Sequence, residues 1–243
     1  MSNEIQQYLK KHGFEAWCPK AVLFDMDGVL YDSMPLHAVA WQQSMAHYGI
    51  AMTHADAYAT EGQRGVDTIR QMVKRQRGAD ISMEQAQEMY DLKSKLFHEM
   101  PAPPVMPGVK ELMAKMHAAG LTICVVTGSG QKPLIRRILS DFGEFICREH
   151  IVTAYDVERG KPLPDPYLMG LQKAGKLKPW EAIVVENAPL GVRAGVAAQI
   201  LTIAVNTSHL PQGVLEQACP DIVADDMPTL CSRWNALGIR CPS

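Results

Sequence analysis

Five short apolar runs set the strongest limit on what this chain can fold into: AVLF at 21–24, LTICVV at 121–126, AIVV at 182–185, LTIAV at 201–205 and DIVA at 221–224. None alternates apolar with polar residues, so each reads as a strand covered on both faces. That is the condition of a parallel sheet lying between two helical layers. The intervening segments agree. Val109, Leu112, Met113 and Met116 recur at helical spacing before a closing Gly120, and Leu134, Ile135, Ile138 and Leu139 do so again. The expected fold class is α/β, a parallel sheet of at least five strands with helices on both faces.

Residues 34–104 break this rhythm, because they carry helical periodicity and no convincing strand. Ala38, Trp41, Met45 and Tyr48 share one face, Val66, Ile69 and Val73 another, and Met83, Ala86, Tyr90 and Phe97 a third. We therefore expect a helical domain inserted after the first strand, with 1–33 and 105–243 forming the α/β core. The exit from the insertion, MPAPPVMPG, is dense in proline, resists helix and suits a stiff hinge.

With 24 Lys and Arg against 26 Asp and Glu, spread along 243 residues, the chain has no basic field to hold a phosphodiester backbone. No run of about 18 apolar residues is present, and the polar N-terminal stretch lacks the apolar core of a signal peptide. Neither nucleic acid nor membrane is expected as a partner, and a cytoplasmic location is. The six cysteines, Cys18, Cys124, Cys147, Cys219, Cys231 and Cys241, form no CxxC pair, which speaks against a zinc site or a disulfide framework.

Parallel sheets bind ligands beyond the carboxyl ends of their strands, and polar clusters stand at those places. AVLF runs into Asp25, Asp27 and Gly28; ICVV into Thr127, Gly128 and Ser129; AIVV into Glu186 and Asn187; and GKPLPDP places Lys161 before a proline-rich helix start. Three carboxylates at one sheet edge repel unless a cation joins them, and carboxylate oxygens suit a hard ion such as Mg2+. Other readings are weaker. A calcium loop beginning at Asp25 would need glycine and glutamate where Leu30 and Leu36 stand. TGSGQKP lacks the first glycine of a P-loop and has Pro133 where the last glycine of GxGxxG belongs. Singly, Asp25 and Asp27 read equally well as a capping turn and Lys161 as a surface charge.

Taken together and in order, DMDGVLYDS, VVTGSG, GKPLPDPY and VVENAPLGVRAG resemble the four motifs of the haloacid dehalogenase-like phosphohydrolases. Within them the chain is similar to the β-phosphoglucomutase-like branch, which also holds many sugar-phosphate phosphatases. The resemblance implies a Rossmann-like core with a helical cap at 34–104. It implies Asp25 as a nucleophile that forms an aspartyl-phosphate, and Asp27 as the acid and base that serves the leaving group and the next acceptor. Thr127, Gly128, Ser129 and Gly28 would meet the transferring phosphate, and Lys161 would neutralise it together with Asp25. Mg2+ would be held by Asp25, the Asp27 backbone carbonyl, Glu186 and Asn187. The implied partner is a small phosphorylated metabolite, with the protein a monomer or weak dimer.

Asn187 departs from the family pattern, which usually has aspartate there; one negative charge is lost, and a weaker metal site is the expectation. In the cap, His37 matches a histidine of the mutases by spacing, although a partly exposed helical histidine reads as well. Lys93 interrupts an apolar face, either as a snorkelling lysine or as a phosphate ligand. Arg64 stands one residue from the position of the mutase arginine, which falls on Gly65. Mutase and phosphatase therefore both remain open, as does a non-catalytic metal or phosphate binder built on the same fold.

Overall fold

The computed structural model describes residues 2–129 and 132–238. Six strands, β1 (Ala21–Phe24), β2 (Thr122–Val126), β3 (Ile151–Val152), β4 (Ala182–Glu186), β5 (Leu201–Val205) and β6 (Ile222–Ala224), form one sheet in the order β3-β2-β1-β4-β5-β6. Every pairing is parallel. The fold class read from the apolar runs thus holds. The run at 121–126 begins one residue later as a strand, and β3 was not anticipated, since two residues give no pattern to read.

Side chains alternate across each strand, and the two faces bury different sets. Val22, Phe24, Ile123, Val125, Ile183 and Val185 face one layer, into which α6 (Val109–Ala118) inserts Val109, Leu112, Met113 and Met116. The same layer receives Ile5 and Tyr8 of an N-terminal helix, α1 (Asn3–His12), whose Tyr8 hydroxyl donates to the Gln199 carbonyl at 2.8 Å. Ala21, Leu23, Cys124, Val126 and Val184 face the opposite layer, against Tyr167 and Leu171.

Between β1 and α6 the chain forms four helices, α2 (Met34–His47), α3 (His54–Ala59), α4 (Gly65–Arg77) and α5 (Met83–Glu99). They bury an apolar cluster of their own, with Ala38, Trp41, Met45, Ile69, Met72, Val73 and Ala86 at its centre. Capping boxes at Thr53 and Ser82 start α3 and α5, each satisfying backbone donors that would otherwise be orphaned. The remaining helices, α7 (Lys132–Phe142), α8 (Asp165–Lys173), α9 (Pro189–Ala197) and α10 (Met227–Arg233), complete the core.

Cys124, Cys147, Cys219 and Cys231 are free thiols. Cys18 is disulfide-bonded, which the cysteine spacing did not predict; Cys241 lies outside the described residues. Among the described residues no helix is long and apolar enough to cross a membrane.

Candidate active site

The strand order decides which polar clusters meet. Because β1 lies between β2 and β4, the residues that follow it, starting with Asp25, sit between Thr127 and the Glu186–Asn187 pair. Lys161, on the loop before α8, is 3% exposed. Its Nζ donates to Asp25 Oδ1 at 2.5 Å, to Glu186 Oε1 at 2.7 Å and to the Val126 carbonyl at 3.2 Å. A buried cation so placed offsets two acids at once. Burial, with Glu186 and Asp27 adding to it, pushes the Asp25 carboxyl up to about 8 against the pull of Lys161. Burial also opposes charge on Lys161, but Asp25 and Glu186 outweigh it and raise its pKa, so the lysine stays protonated.

Glu186 is fixed on every side. Its Oε1 also accepts from the Tyr167 hydroxyl at 2.9 Å, and its Oε2 accepts from the backbone N–H groups of Asn187 and Ala188 at 2.9 and 3.0 Å. A Cβ on Gly191 would fall 1.6 Å from Glu186 Oε1, so only glycine admits the carboxylate there. Gly28 has φ +76°, and a Cβ on it would lie 2.1 Å from Asn187 Nδ2. The turn after Asp27 therefore needs glycine for conformation and for space.

The Asn187 amide is anchored by its nitrogen, which donates to Glu61 Oε1 at 2.6 Å and to Ser208 Oγ at 2.9 Å. Its oxygen, Oδ1, is buried with no hydrogen-bond partner. An orphaned buried acceptor beside Asp25 and Glu186 is a group that a hard cation would satisfy. Among the described residues no three His, Cys, Asp or Glu side chains converge as metal ligands.

On the other side of Asp25, Asp27 meets α2 and α5. Its Oδ1 accepts from Ser33 Oγ at 2.5 Å and lies 3.0 Å from His37 Nε2, while His37 Nδ1 lies 2.6 Å from Lys93 Nζ. A charged Lys93 can only donate, so the tautomer that satisfies all three has Nδ1 accepting and Nε2–H donating to Asp27. The His37 ring stacks on Phe97, with centroids 4.0 Å apart and planes at 2°. Burial alone would raise Asp27, yet His37, Ser33 and Lys93 hold it down at about 2. Burial, then Lys93, lowers His37 against the pull of Asp27. Burial lowers Lys93 to about 8 against the same acid.

A cavity between the helical insertion and the strand ends gathers seven of the residues expected from sequence: Asp25, Asp27, His37, Lys93, Thr127, Gly128 and Ser129. Gly28, Lys161, Glu186 and Asn187 stand around Asp25 as described. Arg64 is not brought into this cavity. Its guanidinium binds Asp67, with Nε 2.7 Å from Oδ2, and donates to the Glu158 carbonyl at 2.6 Å. Sequence reasoning missed Glu61, Tyr167 and Ser208, whose neighbours in the chain read as polar loop or as helix. Tyr90 was placed on an apolar helix face, but it also lines the cavity and has its ring against Gly65: a Cβ there would lie 2.1 Å from it.

The model of the haloacid dehalogenase-like hydrolases matches residues 19–199. Hexitol phosphatase A of Escherichia coli is 36% identical over 77% of this chain and 83% of its own. The mitochondrial (DL)-glycerol-3-phosphatase 1 of Arabidopsis thaliana is 28% identical over 78% of this chain and 64% of its own. The solved structure "Putative beta-phosphoglucomutase from Bacteroides vulgatus" superposes with a TM-score of 0.92 at 45% identity, covering 97% of this chain and 95% of that one.

Proposed function

The chain belongs to the haloacid dehalogenase-like hydrolases, and from that premise we propose that it is a Mg2+-dependent phosphomonoesterase of small sugar or polyol phosphates, with residues 34–104 as its cap. The carrying observation is what the cap side of the cavity lacks. Tyr90 occupies the space a side chain at position 65 would need, Arg64 is bound elsewhere, and Lys93 is the one lysine or arginine among the described lining residues. A bisphosphate intermediate held for transfer would bring a second dianion to a single lysine already engaged with His37. A monoester asks for less.

Asp25, Glu186, the Asn187 side-chain oxygen and the Asp27 carbonyl would hold Mg2+, whose charge offsets that of the phosphoryl oxygens. Asp25 attacks phosphorus, the bond to the leaving oxygen breaks, and Asp27 protonates that oxygen. Water then opens the aspartyl-phosphate and gives its proton to Asp27, which restores the starting state. The first half needs Asp27 protonated, which the His37 contact opposes. A substrate oxygen that displaces His37 from Asp27 Oδ1 removes that opposition. Lys161 and the Thr127 hydroxyl act on the phosphoryl group throughout.

Incubation with Mg2+, β-glucose 1-phosphate and a trace of the 1,6-bisphosphate should release free phosphate, as should hexitol and glycerol phosphates. Glucose 6-phosphate as the main product would instead establish the mutase, a reading favoured by the buried His37–Lys93 pair over Asp27 and by the 45% identical structure.

Lys93 makes a second prediction. It carries its charge below about 8 and loses it as pH rises through that value, so KM for a sugar phosphate should climb above this pH in the wild type. Lys93→Met should raise KM about tenfold at neutral pH, with a smaller change in kcat, and leave it flat through that range. A wild-type KM that is itself flat from neutrality to about two units higher would remove Lys93 from the substrate.

A further inference from the structure

Glu61 is the buried acid of this site that the mechanism does not use. It follows α3 in the insertion and is 6% exposed. Its Oε1 accepts from Asn187 Nδ2 at 2.6 Å and its Oε2 from Ser208 Oγ at 3.2 Å, while the same Nδ2 reaches Ser208 Oγ at 2.9 Å. The three residues come from the insertion, the end of β4 and the loop after β5. The adjoining turn sits directly on the core, since a Cβ on Gly62 would lie 3.5 Å from the Gly191 nitrogen and 3.6 Å from the Ala188 Cβ.

In this closed set of bonds both Glu61 oxygens accept, and Asn187 supplies the one amide donor. An acid at position 187 would offer no donor and would face Glu61 across a buried contact, where like charges repel strongly. The bonds on Nδ2 also decide which way the amide faces, because they leave Oδ1 as the group with no protein partner. We propose that Glu61 is a positioning residue: it latches the helical insertion onto the strand ends through Asn187 and Ser208, and it holds the Asn187 oxygen in the orientation offered to the metal. The amide at position 187 is then the partner of an acid on the insertion, and the pair should be exchangeable only together.

The test compares Asn187→Asp, Glu61→Gln, their combination and Glu61→Ala with the wild type. Hydrogen exchange of residues 58–65 is followed without metal or substrate, and kcat and KM are measured on the sugar-phosphate panel at saturating Mg2+. Asn187→Asp should speed exchange and cut kcat/KM each by about tenfold, the size of a coupling between contacting groups. Adding Glu61→Gln should bring both back to within about threefold of wild type, since the new amide on the insertion can donate to the new acid on the core. A combination no better than Asn187→Asp alone overturns the latch. Glu61→Ala, which leaves Asn187 in place, carries the test if Asn187→Asp does not fold. Its exchange over 58–65 should rise about tenfold while that of the sheet stays as in wild type, and equal exchange overturns the proposal. The kinetic arm rests on the phosphatase reading. If the wild type turns over nothing on the panel, that reading falls while exchange still decides the latch.

Discussion

Asp25→Asn should lose phosphate release by about four orders of magnitude or more while unfolding at a temperature no lower than the wild type. The two halves of this expectation have separate causes. An amide nitrogen or oxygen cannot attack phosphorus as a carboxylate does, so no aspartyl-phosphate forms. Folding, on the other hand, is relieved. A carboxyl whose pKa is higher folded than unfolded costs stability as pH rises from its unfolded value, and burial raises Asp25 to about 8. At neutral pH folding therefore has to keep on Asp25 a proton that the unfolded chain releases, and the isosteric amide removes that cost while its oxygen still accepts from Lys161. Activity assayed beside thermal melting checks both halves. Turnover above about one hundredth of wild type would remove Asp25 as the nucleophile.

The core was legible because burial on both faces writes itself into composition. AVLF contains nothing polar to place on a wet side, LTIAV has only Thr202, itself buried, and LTICVV and AIVV run straight into polar residues that the sheet then delivers to one edge. Lys93 was legible as an anomaly, a charge at a position where the helical period asks for an apolar side chain; it is buried over Trp41 and Phe97, 5.0 and 5.1 Å from their ring centroids. Glu61 was not legible. TEGQRG reads as a solvated turn, and nothing local shows that it is carried onto Asn187, 126 residues away. The same holds for Gly65, where the missing side chain gains meaning only once Tyr90 is seen against it. Arg64 shows the limit of spacing arguments, since Asp67, three residues on, captures its guanidinium at helical reach. Periodicity reports which face is buried, and tertiary placement reports which polar groups meet.

Lys161→Met should inactivate the enzyme as Asp25→Asn does, with the opposite effect on stability. The lysine side chain is 1% exposed, and those of its partners Asp25 and Glu186 are 8% and 0% exposed. Removing the cation leaves two buried carboxylates facing each other, and breaking a buried pair in this way typically costs about 3–5 kcal/mol. In a chain of this size that lowers the melting temperature by roughly 10 °C or more. The loss comes from uncompensated charge and not from lost packing, since methionine fills nearly the same space. Adding Asp25→Asn to Lys161→Met should therefore recover about half of the stability or more and none of the activity. Recovery of neither would mean that Lys161 stabilises through its contacts with the Val126 carbonyl and the Tyr167 ring, and that the charge balance at this strand end is secondary.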